Sequence, residues 1–174
     1  MRAAGGERSK LSPEPHGWGG NSMIARLPLE EADIVEQIWS LQHQAYRLET
    51  RAVGLAEAPP LPDTFDSIRS SGDAYYGVLS EDGELLGAAA VRSEAPGTLD
   101  ITRLMVHPER LRQGIGSSLV RYVLDNHPEA KRFTVAASSQ NAPAVALYRR
   151  CGFVPGETVR SAAGVELTLF RLER

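Results

Sequence analysis

The chain has 174 residues, 42% hydrophobic and 24% charged, which is the size and composition of one globular domain with a real core. A formal net charge of -3 excludes a nucleic-acid partner held by general electrostatics, and the basic pairs Lys131–Arg132 and Arg149–Arg150 read as solvated strand and helix ends. One cysteine, Cys151, leaves no internal disulfide and no cysteine-based metal site, and no apolar run approaches the length that spans a membrane.

Residues 1–21 are rich in Gly, Pro and charge and lack the apolar stretch of a secretory signal. They are expected to form a flexible tail ahead of one domain over 22–174, in a protein of the cytoplasm. Met23–Leu27 reads as a first strand, closed by Pro28. From Glu30 to Leu48, apolar Ile34, Ile38, Leu41, Ala45 and Leu48 recur at helical steps, with Glu30, Glu31 and Asp33 placed in the first turn, where the dipole favours them. Gly54, Pro59, Pro60 and Pro62 predict a loop over 51–63, followed by a short helix over 64–70. Ala74–Ser80 and Glu84–Arg92 are strand-like and joined by Asp82-Gly83, a hairpin signal; Pro96-Gly97 then leads into Thr98–Val106, which completes a meander. A helix over Gly114–Asn126, a strand over Phe133–Ala137, a helix over Asn141–Cys151 and two strands flanking Ala163-Gly164 follow. Strand, crossover helix and strand require a parallel pair, so the expected fold is α/β: a mixed, mainly antiparallel sheet of about seven strands with helices on both faces.

The segment from Leu104 to Gly116 carries the most chemistry. A strand ends at His107-Pro108, and a basic turn containing Arg110 and Arg112 opens into a helix through Gly114-Ile115-Gly116. Glycine lets backbone approach a ligand, and the free N–H groups of a first helical turn favour anions. Each such interaction is worth about 0.3–1 kcal/mol, so several donors must converge. By itself the pattern fits a tight turn as well as an anion site. A dinucleotide fingerprint would need Gly or Ala at Leu119, and a nucleoside-triphosphate loop would need Lys-Ser/Thr after Gly116, where Ser117-Ser118 stand. Both are excluded.

Residues 141–153 form a second motif. Asn141 suits an N-cap, Pro143 the first turn and Gly152 the stop, and Asn141 and Tyr148 lie two turns apart on one face. Together the segments resemble the GNAT superfamily of acyl-CoA N-acyltransferases. The first matches the family's pyrophosphate turn through Gly114 and Gly116, with Leu111 where Arg or Gln is usual. The second matches through Asn141, Ala144, Leu147, Tyr148, Gly152 and Phe153. The order of elements extends the resemblance over residues 23–172.

The resemblance implies an N-acetyltransferase that uses acetyl-CoA as cosubstrate, with no metal and no membrane or nucleic-acid partner, and a small-molecule or peptide amine as acceptor. The backbone of Leu104, Met105 and Val106 would pair with the pantetheine arm, and Leu111, Arg112, Gln113, Gly114, Ile115, Gly116 and Ser117 would form the phosphate turn. Asn141 would contact the arm, and Tyr148 would protonate the departing sulfur, against the alternative that Tyr148 is a core aromatic. Some relatives carry a glutamate base at the position of Ala136. Asp100 is the best substitute, with Glu49 and Asp66 behind it, although a strand-end carboxylate is an equally good reading of Asp100. Gln42, Tyr46 and Phe65 are either acceptor-pocket or packing residues. His107 and His127 precede prolines and read as turn residues, none of the four histidines (His16, His43, His107, His127) has metal-ligand spacing, and Cys151 reads as a small buried side chain. A non-catalytic acyl-CoA-binding module is the competing reading, and the exposed final strand could support a homodimer.

Overall fold

The computed structural model describes residues 23–52 and 63–174. The N-terminal tail and most of the 51–63 loop therefore lie outside the described residues. The strands are β1 (Met23–Arg26), β2 (Ala74–Leu79), β3 (Leu85–Ala95), β4 (Thr98–Val106), β5 (Arg132–Ser138), β6 (Val154–Arg160) and β7 (Glu166–Glu173). The helices are α1 (Ala32–Ala52), α2 (Phe65–Ser70), α3 (Ile115–Asn126) and α4 (Ala142–Arg150). The strands form one seven-stranded sheet in the order β1-β2-β3-β4-β5-β7-β6, antiparallel except for β4 and β5, so the expected mixed sheet is the observed one.

The central strand β3 explains why helices must lie on both faces. Leu85 to Val91 are all buried, and their side chains are divided between two apolar clusters. Leu86, Ala89 and Val91 pack with Ile115, Leu119 and Val123 of α3, while Leu85, Ala88 and Ala90 pack with Val35, Ile38 and Leu41 of α1. A strand buried on both faces needs this two-layer cover.

Three details differ from the sequence reading. Helix α1 starts at Ala32, so only Asp33 of the three acidic residues lies in its first turn, and it runs on through Arg51 and Ala52 into the segment expected to be loop. Pro108–Arg110 forms a 3-10 turn. The final strand is not the sheet edge. It lies between β5 and β6, and the exposed edge is β6.

Candidate active site

β4 and β5 pair only over Thr98–Ile101 and Arg132–Val135. Beyond that point β4 stays with β3 as far as Val106, and β5 stays with β7 as far as Ser138. The carboxyl halves of two neighbouring parallel strands thus separate into a fork, the part of a parallel pair where ligands commonly bind. A β-bulge lies at the branch point: Val91 opposes Ile101 and Ala90 opposes Arg103, leaving Thr102 as the extra residue. A bulge bends the strand and raises its twist. It also resets the alternation, because Ile101 faces the α3 core and Met105, four residues on, faces the α1 core. Thr102 is fixed by its hydroxyl, which donates to Asp73 Oδ2 at 2.8 Å.

At the open end of the fork, His107 caps the 3-10 turn by accepting from the Glu109 N–H at 3.2 Å. Arg112 (φ 62°) and Gly114 (φ 82°) are both left-handed, and Gly114 is the N-cap of α3. Alternating backbone handedness turns successive N–H groups to one side and makes an anion-binding concavity. Among the described residues no acceptor meets the N–H groups of Arg112 through Ser117; the first amide that is bonded belongs to Ser118, which donates to the Gly114 carbonyl at 3.0 Å. The turn therefore fits a phosphate group. The two glycines do different work. A Cβ on Gly114 would meet open space, so that position is glycine for its φ, whereas one on Gly116 would lie 2.9 Å from Leu147 Cδ1. Gly116 is thus a contact between α3 and α4 rather than an opening towards a ligand. Leu111 is 44% exposed and gives no side-chain donor to the turn.

Helix α4 is built as its sequence suggests. Asn141 Oδ1 accepts from the Ala144 N–H at 3.3 Å, and Pro143 sits in the first turn. At the other end Phe153 N–H donates to the Tyr148 carbonyl at 3.0 Å and Gly152 (φ 96°) donates to that of Arg149, a Schellman stop. The stop's apolar contact is the Tyr148–Phe153 pair, with ring centroids 5.9 Å apart; the Phe170 ring also lies 5.6 Å from that of Tyr148. Tyr148 is 4% exposed. The Tyr-to-Gly-Phe spacing of the second motif is thus the spacing of a helix stop, whatever else the phenol does.

On the opposite face, a cavity of ≈ 330 Å³ opens beside the fork, with Ile101, Thr102 and Ala136 in its lining. Its walls carry Asp63, Asp73, Tyr75, Arg92, Asp100 and Arg103. Arg103 donates to Asp63 at 3.0 Å, and Asp63 also accepts from Gln42 and Ser67. Burial by itself would raise the Asp63 carboxyl, but these hydrogen bonds and the Arg103 charge outweigh it and hold the group below its usual range. Arg92 Nε donates to Asp73 Oδ1 at 2.6 Å, and Thr134 donates to Asp100 Oδ1 at 2.7 Å. Burial pushes the Tyr75 phenol up to about 12, so it stays protonated at neutral pH. Among the described residues no His, Cys, Asp or Glu side chains gather as metal ligands, and no helix is long and apolar enough to cross a membrane.

The sequence profile of the Acetyltransferase (GNAT) family matches residues 35–153, which hold the fork, the turn and α4. The chain belongs to the GNAT acetyltransferase family. It is 35% identical over 150 residues to the protein YqkA of Bacillus subtilis (86% of this chain, 43% of YqkA). It is 33% identical over 86 residues to the peptidyl-lysine N-acetyltransferase YiaC of Escherichia coli (47% of this chain, 54% of YiaC). The chain thus spans about half the length of the curated relatives it matches. In fold it is similar to the ribosomal-protein-S18-alanine N-acetyltransferase of Escherichia coli, with a TM-score of 0.68 at 17% identity over 87% of this chain and 93% of that one.

Within this GNAT domain, Tyr148 belongs to the α3–α4 core cluster, whereas Asp100 lines the cavity on the α1–α2 face. The Asp66 side chain is 96% exposed, with Arg69 3.7 Å away, because α2 buries only Ile68. Glu49 falls on α1, with its side chain outside the described residues, as is all of His16. Gln42 is buried and reaches the cavity through Asp63, whereas Phe65 is 43% exposed and packs edge-on against Trp39, which also stacks on His43. His127 is the C-cap of α3 and meets the Tyr76 hydroxyl at 3.1 Å. Cys151 is the half-buried C-cap of α4, and burial pushes its thiol up, away from nucleophilic use.

The sequence reading missed Asp63, Asp73, Tyr75, Arg92 and Arg103. The Pro96-Gly97 hairpin offered a partial signal, because a regular ladder from Ala95 opposite Thr98 would set Ser93 against Asp100. A bulge at Glu94 moves Arg92 there instead.

Proposed function

We propose that this GNAT domain transfers the acetyl group of acetyl-CoA directly to a primary amine, in the cytoplasm. The observation that carries the reading is the fork between β4 and β5, which ends at a turn whose amides are free to hold a phosphate. In this reading the backbone of Leu104, Met105 and Val106 holds the pantetheine arm as an added strand. The amides of Leu111, Arg112, Gln113, Gly114, Ile115, Gly116 and Ser117 hold the pyrophosphate, and Asn141, with its oxygen spent on the cap, offers its NH2 to the arm. Acetyl-CoA supplies the activated acyl group.

The acceptor enters through the cavity on the α1–α2 face. A free alkylamine is protonated at neutral pH, with a pKa near ~10, so a proton must leave before its nitrogen can attack. Asp100 takes that proton, directly or through water. The nitrogen then bonds to the thioester carbonyl carbon, and the C–S bond breaks with its electron pair leaving on sulfur. The Tyr148 hydroxyl gives that sulfur a proton, and the second proton of the acylated nitrogen passes through water to restore the tyrosine. A phenol of pKa near ~10 is still protonated at pH 7 and able to do so.

The test is thiol release from acetyl-CoA in the presence of an amine panel, alongside calorimetric titration with CoA. Turnover dependent on amine supports the reading. CoA binding with no amine-dependent turnover would make the domain an acyl-CoA-binding module, and absence of CoA binding would remove the assignment of the turn.

A further inference from the structure

The cavity beside the fork is lined with fixed charges, and most of them neutralise one another. Arg103 spends Nη1 on the Thr102 carbonyl at 2.8 Å and Nη2 on Asp63. Asp73, with a side chain only 5% exposed, spends one oxygen on Arg92 and the other on Thr102. Two groups keep unused capacity. Arg92 is bonded only through Nε, so among the described residues its Nη1 and Nη2 have no partner. Asp100 is bonded only through Oδ1, so its Oδ2 has none either.

These two residues are directly opposite each other in the β3–β4 ladder, bracketed by the bulges at Glu94 and Thr102. Opposite charges in that position ordinarily pair. Here they do not, because Asp73 draws the guanidinium to itself at 2.6 Å and Thr134 holds the Asp100 carboxylate at 2.7 Å. The result is a preset arrangement of a guanidinium anchored on its Nε edge, with its two-pronged end free, beside a carboxylate with one free oxygen. A guanidinium fork matches a carboxylate in two parallel hydrogen bonds, and anchoring it beforehand lowers the ordering cost of binding.

We infer that the acceptor is a zwitterion, a small amine that carries a carboxylate close to its amino group, as a free amino acid does. Its carboxylate docks on Arg92 and its amine on Asp100, beside the branch point of the fork, where the thioester would lie. Arg92 is then the residue that sets specificity. This rests on the transferase reading and narrows it. A lysine side chain within a peptide, or a polyamine, offers no carboxylate at that spacing and forgoes the two-pronged pairing with Arg92, whose side chain is half exposed and otherwise stays solvated.

The experiment compares free amino acids with their decarboxylated amines and their amides as acceptors for the full chain with acetyl-CoA. The acids should be preferred by at least about 10-fold in kcat/KM, and the preference should reside in KM. In Arg92→Gln the preference should fall towards one, and in Arg92→Lys, which keeps the charge beside Asp73 without the fork, it should be intermediate. Thermal melts of both variants report whether leaving Asp73 unpaired has unfolded the protein; the wild-type panel needs no variant and decides by itself. If decarboxylated amines or peptide lysines are acetylated as well as the free acids, the zwitterion proposal is overturned while the transferase stands. If CoA binds and no amine at all is acetylated, both fall.

Discussion

Replacing Tyr148 with phenylalanine removes one oxygen and keeps the ring that packs against Phe153 and Phe170. The packing matters because the Tyr148–Phe153 contact is also the apolar clasp of the α4 stop. Truncation to alanine would empty a site that is 4% exposed, at a cost of about 3–5 kcal/mol, and would confuse stability with chemistry. Loss of the buried hydroxyl alone costs at most about 1.5 kcal/mol. At about 2–4 °C per kcal/mol for a chain of this length, the melting point should fall by no more than about 6 °C. General acid catalysis contributes roughly 10²–10⁴-fold, or about 2.7–5.5 kcal/mol of barrier, so kcat should fall by at least about 100-fold in Tyr148→Phe. The affinity for CoA, which the proposed function places on backbone amides of another element, should stay within about two-fold by calorimetry. Unchanged kcat in a folded variant would refute the proton-donor role and leave Tyr148 as a core aromatic.

Asp100→Asn should lower kcat/KM by about 10²–10⁴ at pH 7, and the loss should shrink towards pH ~10 as the free amine becomes abundant; a parallel offset at every pH would speak against proton removal by Asp100. Gly114→Val forces a β-branched residue to φ 82°, a strain of at least about 1–2 kcal/mol, and should raise KM for acetyl-CoA more than KM for the amine, as initial-rate kinetics would report. Asp63 has a depressed folded-state pKa, so it stabilises the fold above the unfolded carboxyl value near ~3.9, and that contribution is lost as pH falls through the lower folded value. Asp63→Asn should therefore flatten the decline in melting temperature below pH ~4 and lower stability at pH 7.

Much of the fold was legible because its determinants are local. Helical periodicity in Ile34–Leu41, turn residues at Asp82-Gly83 and Pro96-Gly97, and a crossover over Thr98–Ala137 are enough to fix the elements and the single parallel pair. The boundaries of α1 were less legible, since the acidic residues at Glu30 and Glu31 suit a helix start but chain geometry after Pro28 delays it to Ala32. The turn at the start of α3 was legible too, because a left-handed glycine at a helix N-cap is a property of a few consecutive residues.

The cavity was not. Asp63, Asp73, Arg92, Asp100 and Arg103 come from four separate stretches of chain, and nothing in their spacing announces that they meet. Two bulges decide it: the one at Glu94 sets Arg92 against Asp100, and the one at Thr102 aims the rest of β4 along the fork. A bulge shifts every later residue by one position, so register counted from the hairpin cannot survive it. The sequence by itself determined the elements and their order, because each depends on residues close in the chain. Only the tertiary structure decided which charges pair and which stay unpaired among the described residues, because that depends on registers between strands and on the packing of two helical layers against them.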